Sequence, residues 1–116
     1  MGRQTKASIA LDKACGRIVV SAVAMEFAVP NFIMESPRGG SSDVIYARQI
    51  SMYLLGCVFN ISKQRIGTVF GRHYSTVSHA CRLIEQDRED PVLDAKLLKL
   101  ENFLRQTPSS LSAASF

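Results

Sequence analysis

A chain of 116 residues with 47% hydrophobic residues is long enough to bury one compact core and too apolar to stay disordered. The net charge of +4 is modest but unevenly placed. Val44 to Ile84 holds no Asp or Glu and carries Arg48, Lys63, Arg65, Arg72 and Arg82, whereas Glu85, Asp87, Glu89, Asp90 and Asp94 follow against Arg88 alone. An acid-free cationic block suits a polyanion-facing surface. Paired carboxylates, nucleophile-plus-base spacings and phosphate loops are missing, which argues against an enzyme.

Residues 1–7 read as a flexible leader without the apolar core of a secretory signal. From Ser8 to about Phe27, Leu11, Ala14, Cys15, Ile18, Ala22 and Met25 recur at helical spacing. Val19, Val20, Val23 and Phe27 widen that stripe, so this first helix is central to the core or shared with a partner, such as a second copy. The stretch from Ile18 to Met34 contains Glu26 and Pro30 and is too short for a bilayer span, so no membrane association is expected. Pro30 and Asn31 break the helix, and Phe32, Ile33 and Met34 form a short apolar anchor. Residues 35–42 are a loop by their Ser, Pro and Gly content.

Asp43 is the expected N-cap of a helix reaching about Phe59, with Ala47, Ile50, Leu54, Cys57 and Val58 inward. Arg48 and Gln49 flank that stripe. Ser62 caps a short helix, Lys63 to Phe70, whose inward residues are Ile66, Val69 and Phe70, and Gly71 ends it as a left-handed terminator. A longer helix starts near Tyr74, with Val77, Ala80, Cys81 and Ile84 on one face and Ser75, Thr76, Ser78, His79 and Arg82 on the other. Asp90-Pro91 opens a last helix, as an N-cap followed by proline at the first helical position, with Leu93, Leu97, Leu100 and Leu104 aligned. The acidic run from Glu85 to Asp94 reads as a solvated helix end. Residues 107–116 read as a disordered tail, which leaves 8–106 as the folded unit.

With no strand alternation anywhere, the fold class is all-α, a compact helical domain. Cys15, Cys57 and Cys81 fall on apolar faces, so buried free thiols and a reducing, cytoplasmic setting are expected. His79 and Cys81 stand two apart on a helix and do not share a face, and His73 has no matching ligand. No metal or cofactor is therefore expected.

A short helix, a glycine turn and a longer helix with a polar N-terminal half make a helix-turn-helix. The second helix must be apolar toward the first, hence Val77, Ala80, Cys81 and Ile84. Its other face must carry small or hydrogen-bonding groups that enter the major groove, hence Ser75, Thr76, Ser78 and His79. The free N–H groups at both helix starts suit phosphate oxygens. An αα-hairpin without DNA shares this pattern, and in that case the same residues are a plain solvated face.

The segment from Tyr46 to Gln86 resembles the C-terminal DNA-binding domain of the bacterial replication initiator DnaA, a Trp-repressor-like helix-turn-helix. The resemblance rests on Arg48-Gln49, Ile66-Gly67, Phe70-Gly71-Arg72, Ser75-Thr76-Val77 and His79-Ala80-Cys81-Arg82. It extends more weakly over Ser8 to Phe103. It implies that Arg48 and Gln49 contact DNA, that Lys63 and Gln64 lie against the backbone, and that His73, Tyr74, Ser75 and Thr76 fall where the family reads bases. Arg72 and His79 join the candidate surface, Arg72 having an ion pair with the acidic run as its alternative. The family's basic loop is reduced here to Arg38, the candidate for the minor groove.

This chain departs from the family at informative places. One glycine is missing before Arg72, and His73-Tyr74 stands where the family has Asp-His, so an N-cap carboxylate is lost and the preferred bases should differ. No G-x-x-x-x-G-K-[ST] occurs, so these residues are expected to act without an ATPase module. The expected function is nucleoid-associated, sequence-specific binding of double-stranded DNA, of DnaA-box type, in transcription regulation or replication initiation. The alternative is a protein adaptor or inhibitor of a replication initiator that keeps the fold without reading DNA.

Overall fold

The computed structural model describes residues 4–29 and 40–106, and within them finds five helices and no strand. They are α1 (Lys6–Glu26), α2 (Ser42–Phe59), α3 (Lys63–Phe70), α4 (Tyr74–Asp87) and α5 (Pro91–Gln106). The anchor Phe32-Ile33-Met34 and Arg38 lie outside the described residues.

Helix α2 is the centre of the fold. Every residue from Ile50 to Leu55 is buried, so neighbours close over its middle from all sides. Helix α1 packs on α2, α3 and α5, while α4 packs on α2 and α3. The core contains Val19, Val23, Ile50, Leu54, Leu55, Ile66, Val69, Phe70, Val77, Ile84, Leu97 and Leu104, all nearly inaccessible. The inward residues expected of α3 and α5 are all among the buried ones.

Helix α1 is rotated from the expected stripe. Its buried residues are Asp12, Cys15, Gly16, Val19, Val20, Val23 and Ala24, whereas Leu11 and Met25 face solvent. The cause is that apolar residues surround most of this helix, so periodicity alone leaves its rotation open. A long-range ion pair sets it instead. Arg65 of α3 donates from Nε and Nη2 to the two Asp12 carboxylate oxygens at 2.9 and 2.7 Å, and Gln4 donates to the same carboxylate at 2.6 Å. A fork-to-fork pair of this kind needs a fixed geometry, and it points Asp12 inward.

The cap of α2 is Ser41 rather than Asp43. The Ser41 Oγ accepts from the Val44 N–H at 3.3 Å, and Asp43 sits in the first turn, where its charge still complements the helix dipole. At the other end of α4, Asp87 accepts from the Tyr46 hydroxyl at 2.6 Å. Arg88 donates to Asp94 at 2.6 Å, to Glu101 at 2.8 Å and to the Tyr53 hydroxyl at 3.1 Å, joining α2, α4 and α5. The acidic run is thus more than a solvated end, since two of its members hold helices together. The expected cap of α5 is present, with Asp90 accepting from the Val92 N–H at 3.0 Å.

The cysteines divide. Cys15 is buried, and burial followed by the Asp12 charge pushes its thiol above the usual range. Cys81 is half-buried, while Cys57 is exposed, contrary to the expectation of three buried thiols. Cys57 lines a groove between α2, α3 and α4, while Val58 and Phe59 after it still pack against the core. A thiol reagent should therefore modify Cys57 rapidly in the native protein and Cys15 only on unfolding. Slow modification of Cys57 in the native state would place α2 in a different rotation.

Candidate nucleic-acid interface

Helix α3 starts at Ser62, whose Oγ accepts from the Arg65 N–H at 3.2 Å, leaving Lys63 and Gln64 exposed in the first turn. It ends at Gly71, which adopts φ +66 and closes the turn. Between these ends, Gly67 lets α3 approach the turn closely. The Arg72 N–H donates to the Gly67 carbonyl at 2.8 Å, and a Cβ at Gly67 would lie 2.5 Å from the Arg72 carbonyl oxygen. A methyl group has no room there, so the tight α3–α4 connection depends on this glycine.

Helix α4 is capped by His73. Its Nδ1 accepts from the Ser75 N–H at 3.1 Å and also lies 2.8 Å from the Ser75 Oγ. The imidazole takes over the capping role of the missing carboxylate. Sequence reading placed α4 correctly but missed this role, although any acceptor side chain just before Tyr74 signals it. The Tyr74 ring packs tilted on the imidazole, with centroids 4.6 Å apart.

Inward, Val77, Ala80 and Ile84 are buried against α2 and α3, with Cys81 half-covered. Outward, His73, Tyr74, Ser75, Thr76, His79 and Arg82 are exposed. The structure therefore brings the expected base-facing residues to one exposed edge at the start of α4.

The cations separate into three kinds. Arg65 is engaged by Asp12, which reaches into the acid-free block from α1. Lys63 and Arg82 help line a groove of about 350 Å³ between α2, α3 and α4, together with Tyr53, Cys57, Ser78 and Glu85. Ser78 was expected on the groove-entering face of α4 and Arg82 on the same polar side, and here both turn toward this groove. Arg48 is buried at 5% exposure rather than lying beside the inward stripe. Burial, and then the charge of Arg72, lowers its proton affinity below that of an ordinary arginine. Arg72 itself donates to the Phe70 carbonyl at 3.3 Å and is half-buried. Two guanidinium groups thus share one neighbourhood beside the helix-turn-helix. Gln49, the residue after Arg48 in α2, is half-buried.

Comparison with known proteins agrees with this geometry. The family described as the bacterial dnaA protein helix-turn-helix matches residues 17–84. The chromosomal replication initiator protein DnaA of Deinococcus radiodurans is 38% identical over 74 residues, covering 63% of this chain and 16% of the relative. DnaA 2 of Chlamydia pneumoniae is 47% identical over 45 residues, covering 39% and 10%. DnaA 2 of Chlamydia trachomatis is 36% identical over 77 residues, covering 65% and 16%. The chain thus spans only 10% to 16% of the length of these relatives. The family model covers more than half of the chain, including α2, α3 and nearly all of α4, and the chain belongs to the bacterial DnaA helix-turn-helix family.

Proposed function

We propose that this protein binds double-stranded DNA sequence-specifically, with α4 as the recognition helix in the major groove, and that it acts in replication initiation or in transcription regulation. The observation that carries this reading is the exposed edge formed by His73, Tyr74, Ser75, Thr76 and His79 at the start of α4, free of any carboxylate. In this arrangement Ser75 and Thr76 meet base edges, and Tyr74 offers a hydroxyl and a ring face. Gln49, Lys63, Gln64, Arg72 and His79 grip phosphates, and Arg48, buried beside Arg72, would have to turn outward to join them. The relatives are named for chromosomal replication initiation, and DNA of DnaA-box type is the natural first target.

Salt dependence tests the electrostatic part. With about five phosphate contacts, the slope of log affinity against log salt should be roughly −4 to −5. Lys63→Ala should reduce it by about one and weaken all sequences alike. A binding constant unchanged between low and moderate salt would contradict the reading.

A second reading is an adaptor that binds a protein instead. It is favoured by the apolar surface on α1 and α5, where Met25 is 83% and Phe103 57% exposed beside Ala22 and Leu100. A second copy or a replication protein would cover that surface through the first helix.

A further inference from the structure

We infer that His73, besides capping α4, presents its Nε2–H as a fixed hydrogen-bond donor to a base acceptor, so that this position favours guanine and rejects cytosine on the strand it reads. This inference rests on the DNA-binding reading above.

The argument starts from the cap. A backbone N–H can only donate, so the 3.1 Å contact from Ser75 N–H requires a lone pair on Nδ1. The Ser75 Oγ lies 2.8 Å from the same atom. In a neutral imidazole whose Nδ1 accepts, the proton resides on Nε2. The cap therefore selects one tautomer. The residue is exposed, and Nε2, across the ring from the capped edge, makes no hydrogen bond among the described residues. Contact with the Tyr74 ring on the face adds to the hold on ring orientation. The donor is thus fixed in chemical identity and restrained in direction before any ligand arrives.

Major-groove edges answer such a donor unequally. Guanine offers two neighbouring acceptors, N7 and O6, adenine and thymine offer one each, and cytosine offers only an amino donor. A single donor of this kind should discriminate guanine from cytosine by roughly fivefold to tenfold, the low end for a base contact. A phosphate oxygen is the other acceptor available to the same N–H, and it would give no discrimination.

The test uses the full chain and random duplex DNA. Nitrogen-15 spectra of the free protein should show His73 with Nδ1 bare and Nε2 protonated. Duplex selection is then run on the native protein, His73→Asn and His73→Asp. Both substitutes are good N-caps, so folding is retained and is checked by melting. Asn keeps an acceptor for the cap and an outward N–H donor, whereas Asp keeps the cap and loses the donor. The native protein and His73→Asn should both select guanine at one position, and His73→Asp should lose that preference in favour of an amino-bearing base. If all three select the same motif, His73 is a cap only and the inference falls. If His73→Asp weakens all sequences equally, Nε2–H meets phosphate and the base assignment falls. If the native protein selects no motif at all, the DNA-reading proposal fails first, and that arm alone distinguishes the two failures.

Discussion

Gly67→Ala is expected to lower stability by about 1–3 kcal/mol and to weaken DNA binding in the same stroke. On helix propensity alone the substitution should stabilise α3 by about 1 kcal/mol. Packing reverses that sign, because the new methyl group would stand 2.5 Å from the Arg72 carbonyl oxygen, a backbone atom that no rotamer change can remove. The α3–α4 turn must open, and the Arg72 N–H bond to the Gly67 carbonyl goes with it. Because Arg72 leads directly into the His73 cap, opening the turn displaces the start of α4. Affinity for a selected duplex should fall roughly tenfold beyond any effect of unfolding, as a lost base contact gives. A variant as stable as the native protein, with unchanged affinity, would show that the turn is looser than this structure has it.

The Ser75→Ala/Thr76→Ala double variant should do the opposite, leaving the fold intact and removing the reading. Both side chains are exposed, and neither belongs to the core. The cap survives, because His73 accepts from the Ser75 backbone N–H, which the substitution leaves in place. Melting should shift little. Lost base contacts are worth about 1–3 kcal/mol each in discrimination, so specific binding should drop toward the non-specific level while the salt-dependent background persists. Selection of the same motif with unchanged affinity would mean that another surface reads DNA.

The helices of this protein were largely legible in the sequence because their boundaries are chemical. Ser62, Gly71 and the Asp90-Pro91 pair act locally, and each does in the structure what its type predicts. What was illegible is set by distant partners. The rotation of α1 follows from Asp12 meeting Arg65, 53 positions away, and no periodicity within an apolar helix reports that. The same holds for Arg88, which gathers Tyr53, Asp94 and Glu101 from different helices. Cys57 was expected inward because its spacing from Leu54 fits a helix face, but it opens onto the groove that α3 and α4 leave beside α2. Ser41 and Asp43 are both competent caps, and the choice between them depends on where the preceding chain enters.

For the site, residue types located the surface, and the structure refined the roles. Ser75, Thr76, Tyr74 and His79 stand exposed together as the pattern predicted. Arg48 is the exception in placement, since a long side chain on a helix surface was expected and a buried one is found. Its position beside Arg72 makes sense only once α2 and the α3–α4 turn are seen together. Arg65 shows the reverse error, a cation counted toward the basic surface that α1 has already engaged. At His73 the loss of an N-cap carboxylate was expected, and the imidazole itself supplies the cap.

The central claim, that α3 and the start of α4 face DNA, is tested most directly by mapping backbone amide shifts as a selected duplex is added to the labelled protein at moderate salt. The account predicts the largest changes at Lys63, Gln64 and residues 72–79, with α5 and the solvent side of α1 almost unmoved. Shifts centred on Met25 and Phe103, with Ser75 and Thr76 unchanged, would contradict it.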